Sequence, residues 1–271
     1  MLKIEDLTKR YGKRVALDHV SLELKEGVYG LLGPNGSGKT TLLRCMAGVM
    51  RQTSGRIDCP RNIGYLPQKF GMFKELTLYE SMEYFCAMKK VPKANQRDMI
   101  MNCLEQVHLA DRAKDKVGAL SGGMVRRMGI AQTLLGDPEL ILVDEPTVGL
   151  DPEERLRFKN MIRQSFVGKT VLISTHIVED VDSICSDIIL LDKGHILTQC
   201  SALGLREQAK GKVYSVPASR RQELKKPYCI IREEYGAEQD SLRVLSPVEQ
   251  LGDILAPTIE DGYMLHIRGL K

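Results

Sequence analysis

From residue 33 the chain reads Gly33-Pro34-Asn35-Gly36-Ser37-Gly38-Lys39-Thr40-Thr41, a G-x-x-x-x-G-K-T pattern that leaves few folds open to it. The glycines let the backbone curl tightly, so that successive N–H groups face a phosphate with no side chain in the way. An apolar stretch at residues 28–32 precedes the loop, and a helical pattern at 41–47, stopped by Gly48, follows it. Strand, glycine loop and helix N-terminus in that order make an anion cradle, because the helix end adds partial positive charge. The expected ligand is the triphosphate of ATP. Lys39 would reach the β- and γ-phosphates, and the Thr40 hydroxyl would coordinate Mg²⁺.

The rest of the chain is consistent with an α/β fold built on a P-loop nucleotide-hydrolase core. Short apolar runs at 140–143, 171–174 and 188–191 alternate with helical patterns, which predicts a mainly parallel sheet. Before the loop, Val20, Leu22 and Leu24 alternate with polar residues, predicting an antiparallel β subdomain at the front. Residues from about 70 to 120 read as an inserted helical subdomain, rich in Met, Glu and Lys and broken at Pro92 and Gly118. The expected division is a nucleotide-binding domain at 1–204 and a small α+β accessory domain at 205–271. Within the latter, strands are predicted at 212–216, 228–232 and 242–245, and helices at 220–226 and at 247–255, the last opened by Ser246 as N-cap.

Composition excludes several classes. A net charge of +4 over 271 residues, with no basic run, argues against nucleic acid as a partner. Seven cysteines at scattered positions form no C-x-x-C pair and no zinc spacing, so free thiols in a reducing cytosol are expected. The N-terminal residues alternate apolar and charged types and lack a signal-peptide core. No apolar stretch approaches the ~20 residues that a membrane span requires.

Two further motifs narrow the chemistry. Leu140-Ile-Leu-Val-Asp144-Glu145 is a buried strand that delivers two carboxylates to the edge of a parallel sheet, where such folds place their ligands. Asp144 is suited to hold Mg²⁺, and Glu145, one residue on, to act as general base on the attacking water. Leu120-Ser121-Gly122-Gly123-Met124 stands directly before a helical pattern in which Met124, Met128, Ala131 and Leu135 share one face. Ser121, Gly122 and Gly123 thus form a second nest for anionic oxygen. One ATP has little use for two nests in one subunit; two copies arranged head to tail would use both.

Over residues 1–204 the set resembles the nucleotide-binding subunit of ATP-binding cassette (ABC) transporters. The resemblance implies that Gln68 contacts Mg²⁺ and the membrane partner, that Asp151 lies in a loop crossing a dimer interface, and that His176 touches the γ-phosphate. It implies that Tyr11 stacks on adenine, a role that suits its flat π face. Position 124 is Met where the family usually has Gln, and position 148 is Val where a small residue is common. The ending from Pro257 resembles the tail of cassettes that export drugs, antimicrobial peptides and polysaccharides. The implied function is a transporter ATPase at the cytoplasmic face of the membrane, working with transmembrane permease subunits and a second cassette, identical or related. The alternative is a soluble cassette ATPase acting in protein assembly or on ribosomes or DNA. The transported substrate is not encoded here, because its contacts would lie in the permease.

Overall fold

The computed structural model describes residues 2–236 and 239–270. β1 (Leu2–Tyr11) and β2 (Arg14–Leu24) pair antiparallel around a turn at Gly12, whose φ of +56° suits glycine. Their alternate residues Leu2, Ile4, Leu17, Val20, Leu22 and Leu24 are buried. β3 (Gly27–Leu32) leads into the glycine loop and α1 (Lys39–Met46). β4 (Ser54–Asp58) then returns to the free edge of β1, completing a three-stranded antiparallel sheet.

β5 (Ile63–Leu66) precedes the helices α2 (Leu78–Met88), α3 (Lys93–Gln106) and α4 (Gly122–Leu134). β6 (Leu140–Asp144), α5 (Pro152–Ser165), β7 (Thr170–Thr175), α6 (Val178–Ile184), β8 (Asp187–Asp192) and β9 (His195–Ser201) complete the core. The six-stranded sheet has the order β5-β6-β7-β3-β8-β9. Every neighbouring pair is parallel except β8-β9, a hairpin at Lys193-Gly194. The fold is therefore α/β with a mainly parallel central sheet and a separate antiparallel sheet at the front.

Side-chain alternation explains why the first four residues of β6 are all apolar yet face two different layers. Ile141 and Val143 face the helices α2–α5, while Leu140 and Leu142 face the layer shared by α1 and the front sheet. All four are fully buried, each contributing about 1.5–3 kcal/mol. A one-residue slip would draw Asp144 into the apolar layer, which fixes the register and holds the carboxylates at the strand end.

The insert, expected as helical from about residue 70, starts later as helix: residues 67–77 carry no helix, and α2 starts only at the Thr77–Glu80 capping box. Within that segment Phe70 is half-buried and stacks on Phe85 with centroids 6.1 Å apart, whereas Phe73 lies on the surface against Tyr84.

The tail also differs. After α7 (Ala202–Glu207), the strands β10 (Val213–Pro217), β11 (Cys229–Glu234), β12 (Ser241–Leu245) and β13 (Asp253–Ile254) form a sheet of order β11-β12-β10-β13. The predicted helix at 247–255 is absent. The Ser246 hydroxyl instead accepts from the N–H of Val248 and from Gln250 Nε2, closing a turn. Gly252, at φ +130°, lies so close to Ser215 that a Cβ would meet its carbonyl at 2.0 Å, and β13 then pairs with β10. The predicted helix at 220–226 is a short 3₁₀ segment at Ala218–Glu223. The last helix is α8 (Ile259–Ile267), opened by a Thr258–Asp261 capping box. Asp261 also forms a buried bidentate pair with Arg243 of β12, at 3.1 and 2.6 Å. Leu205 and Ile259 share a buried cluster with Leu32, Val181 and Ile188, so α7 and α8 pack on the core beside α6. All seven cysteines are free, and burial pushes the Cys103 thiol up to about 12.

Candidate functional site

The glycine loop lies at the carboxyl end of β3, the place where open α/β sheets bind ligands. It is packed from behind. A Cβ at Gly33 would sit 2.1 Å from the Leu191 carbonyl, and one at Gly38 would sit 2.7 Å from that of Ala16. Gly36 and Gly38 have φ of +81° and +115°. A side chain would clash at Gly33 and Gly38 and be strained at Gly36, so the backbone is uncovered at all three positions. The Lys39 amine donates to the carbonyls of Gly33 at 2.8 Å and Pro34 at 3.2 Å, and lies 3.3 Å from Glu145 Oε1. Ser37 is buried beneath the loop. A cavity of about 400 Å³ opens here, lined by Tyr11, Arg14, Asn35, Gly36, Gly38, Lys39, Thr40, Thr41, Gln68 and Glu145. Tyr11 stands at its rim, 46% exposed, with its hydroxyl 2.8 Å from Met50 Sδ.

The carboxylates at the end of β6 are held from several sides. Asp144 Oδ1 accepts from Ser174 Oγ at 2.6 Å and from Thr40 Oγ1 at 3.2 Å. Its other oxygen is buried without a hydrogen bond among the described residues. Glu145, only 4% exposed, meets Lys39 through Oε1 and His176 Nδ1 through Oε2 at 2.7 Å. Its backbone is left-handed, φ 49°, a conformation that costs a non-glycine residue about 1–3 kcal/mol and persists only where its surroundings enforce it. The enforcement is visible: its N–H donates to Ser174 O and Oγ, and its carbonyl accepts from the guanidinium of Arg126. Burial lowers the pKa of Arg126 from the usual guanidinium value, and the nearby Asp144 and Glu145 oppose that shift.

A second cavity, about 830 Å³, is lined by Gln68, Ser121, Gly122, Gly123, Val148, Gly149 and Asp151, among others. Two helices begin at its wall. Ser121 Oγ caps α4 by accepting from the N–H of Met124 at 3.2 Å, and Asp151 caps α5 by accepting from that of Glu154 at 2.8 Å. Gly123 is pressed against Glu154, where a Cβ would lie 2.5 Å from Oε2. Gln68 lines both cavities.

The structure thus gathers the predicted residues into two groups. Tyr11, residues 33–41, Gln68, Asp144, Glu145 and His176 surround the first cavity or hold its lining, and Ser121, Gly122, Gly123 and Asp151 line the second with Gln68. Sequence reasoning missed Arg14, Ser174 and Arg126. Arg14 follows Tyr11 by three residues and Ser174 precedes His176 by two, so proximity to a motif was the only available signal.

Comparison with known proteins agrees with the geometry. Residues 17–148 match the family described as ABC transporter. The linearmycin resistance ATP-binding protein LnrL of Bacillus subtilis is 34% identical over 224 residues, spanning 75% of this chain and 72% of that protein. The Nod factor export ATP-binding protein I of Cupriavidus metallidurans is 31% identical over 274 residues, spanning 96% of this chain and 85% of that protein. Among solved structures, a dimeric ATP-binding cassette in a post-hydrolysis state with ADP and Pi superposes with a TM-score of 0.65 at 28% identity, over 74% of this chain and 98% of that one. With a backbone-lined glycine loop, a carboxylate pair at the strand end and these relatives, the chain belongs to the ABC transporter family and is one of its ATP-binding, ATP-hydrolysing subunits.

Proposed function

We propose that this cassette is the motor of an exporter, working head to tail with a second cassette beneath separate transmembrane subunits at the cytoplasmic face of the membrane. The observation that carries the reading is the pair of cavities on one chain, one at the glycine loop and one at Ser121-Gly122-Gly123, which we read as two anion nests. In a head-to-tail pair, the first nest of one copy and the second nest of the other enclose each ATP. Export is supported by the names of two relatives, one concerned with resistance to linearmycin and one with Nod factor export. Among the described residues no helix is long and apolar enough to cross a membrane, so the channel is assigned to a partner. The phosphate ligands all precede residue 204, which makes 1–204 the nucleotide-binding unit and 205–271 the accessory one.

In this mechanism Tyr11 stacks on the adenine, and the loop from Gly33 to Thr41 cradles the phosphates. Lys39 neutralises charge on the β- and γ-phosphates. Glu145 takes the proton of the attacking water, while His176 orients Glu145 and contacts the γ-phosphate. Asp151 crosses to the partner cassette. Mg²⁺ suits the oxygen set of Thr40, Asp144 and Gln68, because Asp144 has a buried oxygen with no hydrogen bond among the described residues and a hard cation prefers oxygen ligands. When bound, it would neutralise charge developing between the β- and γ-phosphates.

The test is the partner itself. The full chain, purified from membranes, should bring a multi-spanning protein with it; recovery with ribosomes or DNA instead would favour the soluble alternative. Phe73, 61% exposed beside Tyr84, is the proposed contact for a short helix of that partner. Phe73→Asp should change stability by no more than about 0.5 kcal/mol, as exposed substitutions do, yet lose the membrane protein on purification. Phe70→Asp places a charge against the packed core and should destabilise the isolated subunit by about 1–3 kcal/mol, less than the loss of a fully buried aromatic because Phe70 is half-buried. Full complex assembly by Phe73→Asp would remove the proposed contact.

A further inference from the structure

We infer that Arg126 is a positioning residue for hydrolysis, tying the loop of Glu145 and the loop of Gln68 to the helix that begins at Ser121. Its side chain rises from the second turn of α4 and makes three hydrogen bonds to main-chain carbonyls. Nε donates to Pro146 O at 2.9 Å, Nη2 to Glu145 O at 2.5 Å and Nη1 to Gln68 O at 2.8 Å. The acceptors lie 20, 19 and 58 residues away in sequence, on two different loops. A guanidinium suits this arrangement because its donors diverge in one rigid plane, whereas an ammonium is a single point.

What it holds matters more than how many bonds it makes. Glu145 has a left-handed backbone, so its carboxylate points where it does only while both flanking peptides are fixed. Ser174 of β7 fixes the N–H side and Arg126 fixes the carbonyl side. Of these two anchors, only Arg126 stands on the helix whose N-terminus is Ser121. A shift of α4, such as closure of a partner's nucleotide onto Ser121-Gly122-Gly123, is therefore transmitted to the backbone of Glu145 and of Gln68 together. Arg127, the next residue, bonds to the carbonyls of Val107 and His108 beyond α3, so the two arginines serve different parts of the molecule. The inference rests on the reading of Glu145 as general base and deepens it: the second nest would govern the geometry of that base.

The experiment measures ATP binding and steady-state hydrolysis on the full chain for Arg126→Met, Arg126→Lys, Arg127→Met and Glu145→Gln. Arg126→Met keeps an unbranched apolar stem and removes every donor. Its kcat should fall ~10²-fold, the scale of a displaced catalytic group, while KM and ATP affinity stay within about twofold. Arg126→Lys should recover part of that loss, and Arg127→Met should leave kcat within about twofold, as a control for removing a charge from α4. Wild-type kcat in Arg126→Met overturns the inference, and so does a parallel loss of ATP binding and hydrolysis. If Arg126→Met does not fold, Arg126→Lys decides: lowered kcat at constant KM supports the role, and unchanged kcat overturns it. Glu145→Gln separates the two levels. Should it hydrolyse ATP normally, the reading of the site is at fault; should it be inactive while Arg126→Met is fully active, only the role of Arg126 falls.

Discussion

Glu145→Gln is expected to bind ATP much as the wild type does and to hydrolyse it ~10²–10⁴-fold more slowly, the loss typical when a general base is removed. The change keeps the shape of the side chain and its capacity to hydrogen-bond His176, now 2.7 Å from Oε2. It removes the ability to accept the water's proton at neutral pH, because an amide has no carboxylate lone pair of comparable basicity. ATP affinity should survive because the Lys39 amine is also held by the Gly33 and Pro34 carbonyls and does not depend on Glu145 for its place. A different outcome follows if Glu145 is only the buried ion-pair partner of Lys39, 3.3 Å away. Breaking a buried pair costs about 3–5 kcal/mol, so a large drop in melting temperature with equal loss of binding and hydrolysis would identify that structural role. Single-turnover hydrolysis, equilibrium nucleotide binding and a thermal melt on one preparation distinguish the two.

The parts of this molecule that were legible in its sequence share a property: their signal is local. The run 140–143 reads as a buried strand because four apolar residues are followed by two acids, and the structure places them at β6 with Asp144 at its end. The glycine loop reads as a tight turn between strand and helix, and the structure has β3 before it, α1 after it and Gly33 and Gly38 against packed backbone. Strand order was not legible, since β3 sits between β7 and β8 through contacts that span well over a hundred residues. The tail shows how a local signal misleads. Ser246-Pro247 has the form of a helix start, yet its hydroxyl closes a turn and Gly252 admits the chain against Ser215. The true start, Thr258 with an acid three residues on, carries the same capping chemistry and is supported by burial of Ile259 and Leu265. Arg126 was illegible for a different reason. Main-chain carbonyls leave no mark in the sequence, so nothing at Gln68, Glu145 or Pro146 announces the side chain that holds them.

Ser121→Arg is expected to leave a folded, ATP-binding monomer that no longer dimerises in the presence of Mg-ATP. Ser121 is exposed, and its hydroxyl caps α4 by accepting from the N–H of Met124. Loss of that cap alone costs about 1 kcal/mol, too little to unfold a domain of this size. The first cavity does not include Ser121, so nucleotide affinity of the single chain should hold. What changes is the wall of the second cavity, where Ser121, Gly122 and Gly123 present backbone and one small hydroxyl. An arginine there fills the space that a partner's γ-phosphate would need, and its positive charge cannot offset the steric exclusion in a closely packed interface. Ser121→Ala is the control, since it removes the cap without adding bulk and should keep most of the dimer. Light scattering in the Glu145→Gln background, where ATP persists long enough to hold two cassettes together, reads the outcome directly. Equal dimer fractions in Ser121→Arg and Ser121→Ala would mean that the second cavity does not receive a partner's nucleotide, and the head-to-tail arrangement would have to be abandoned.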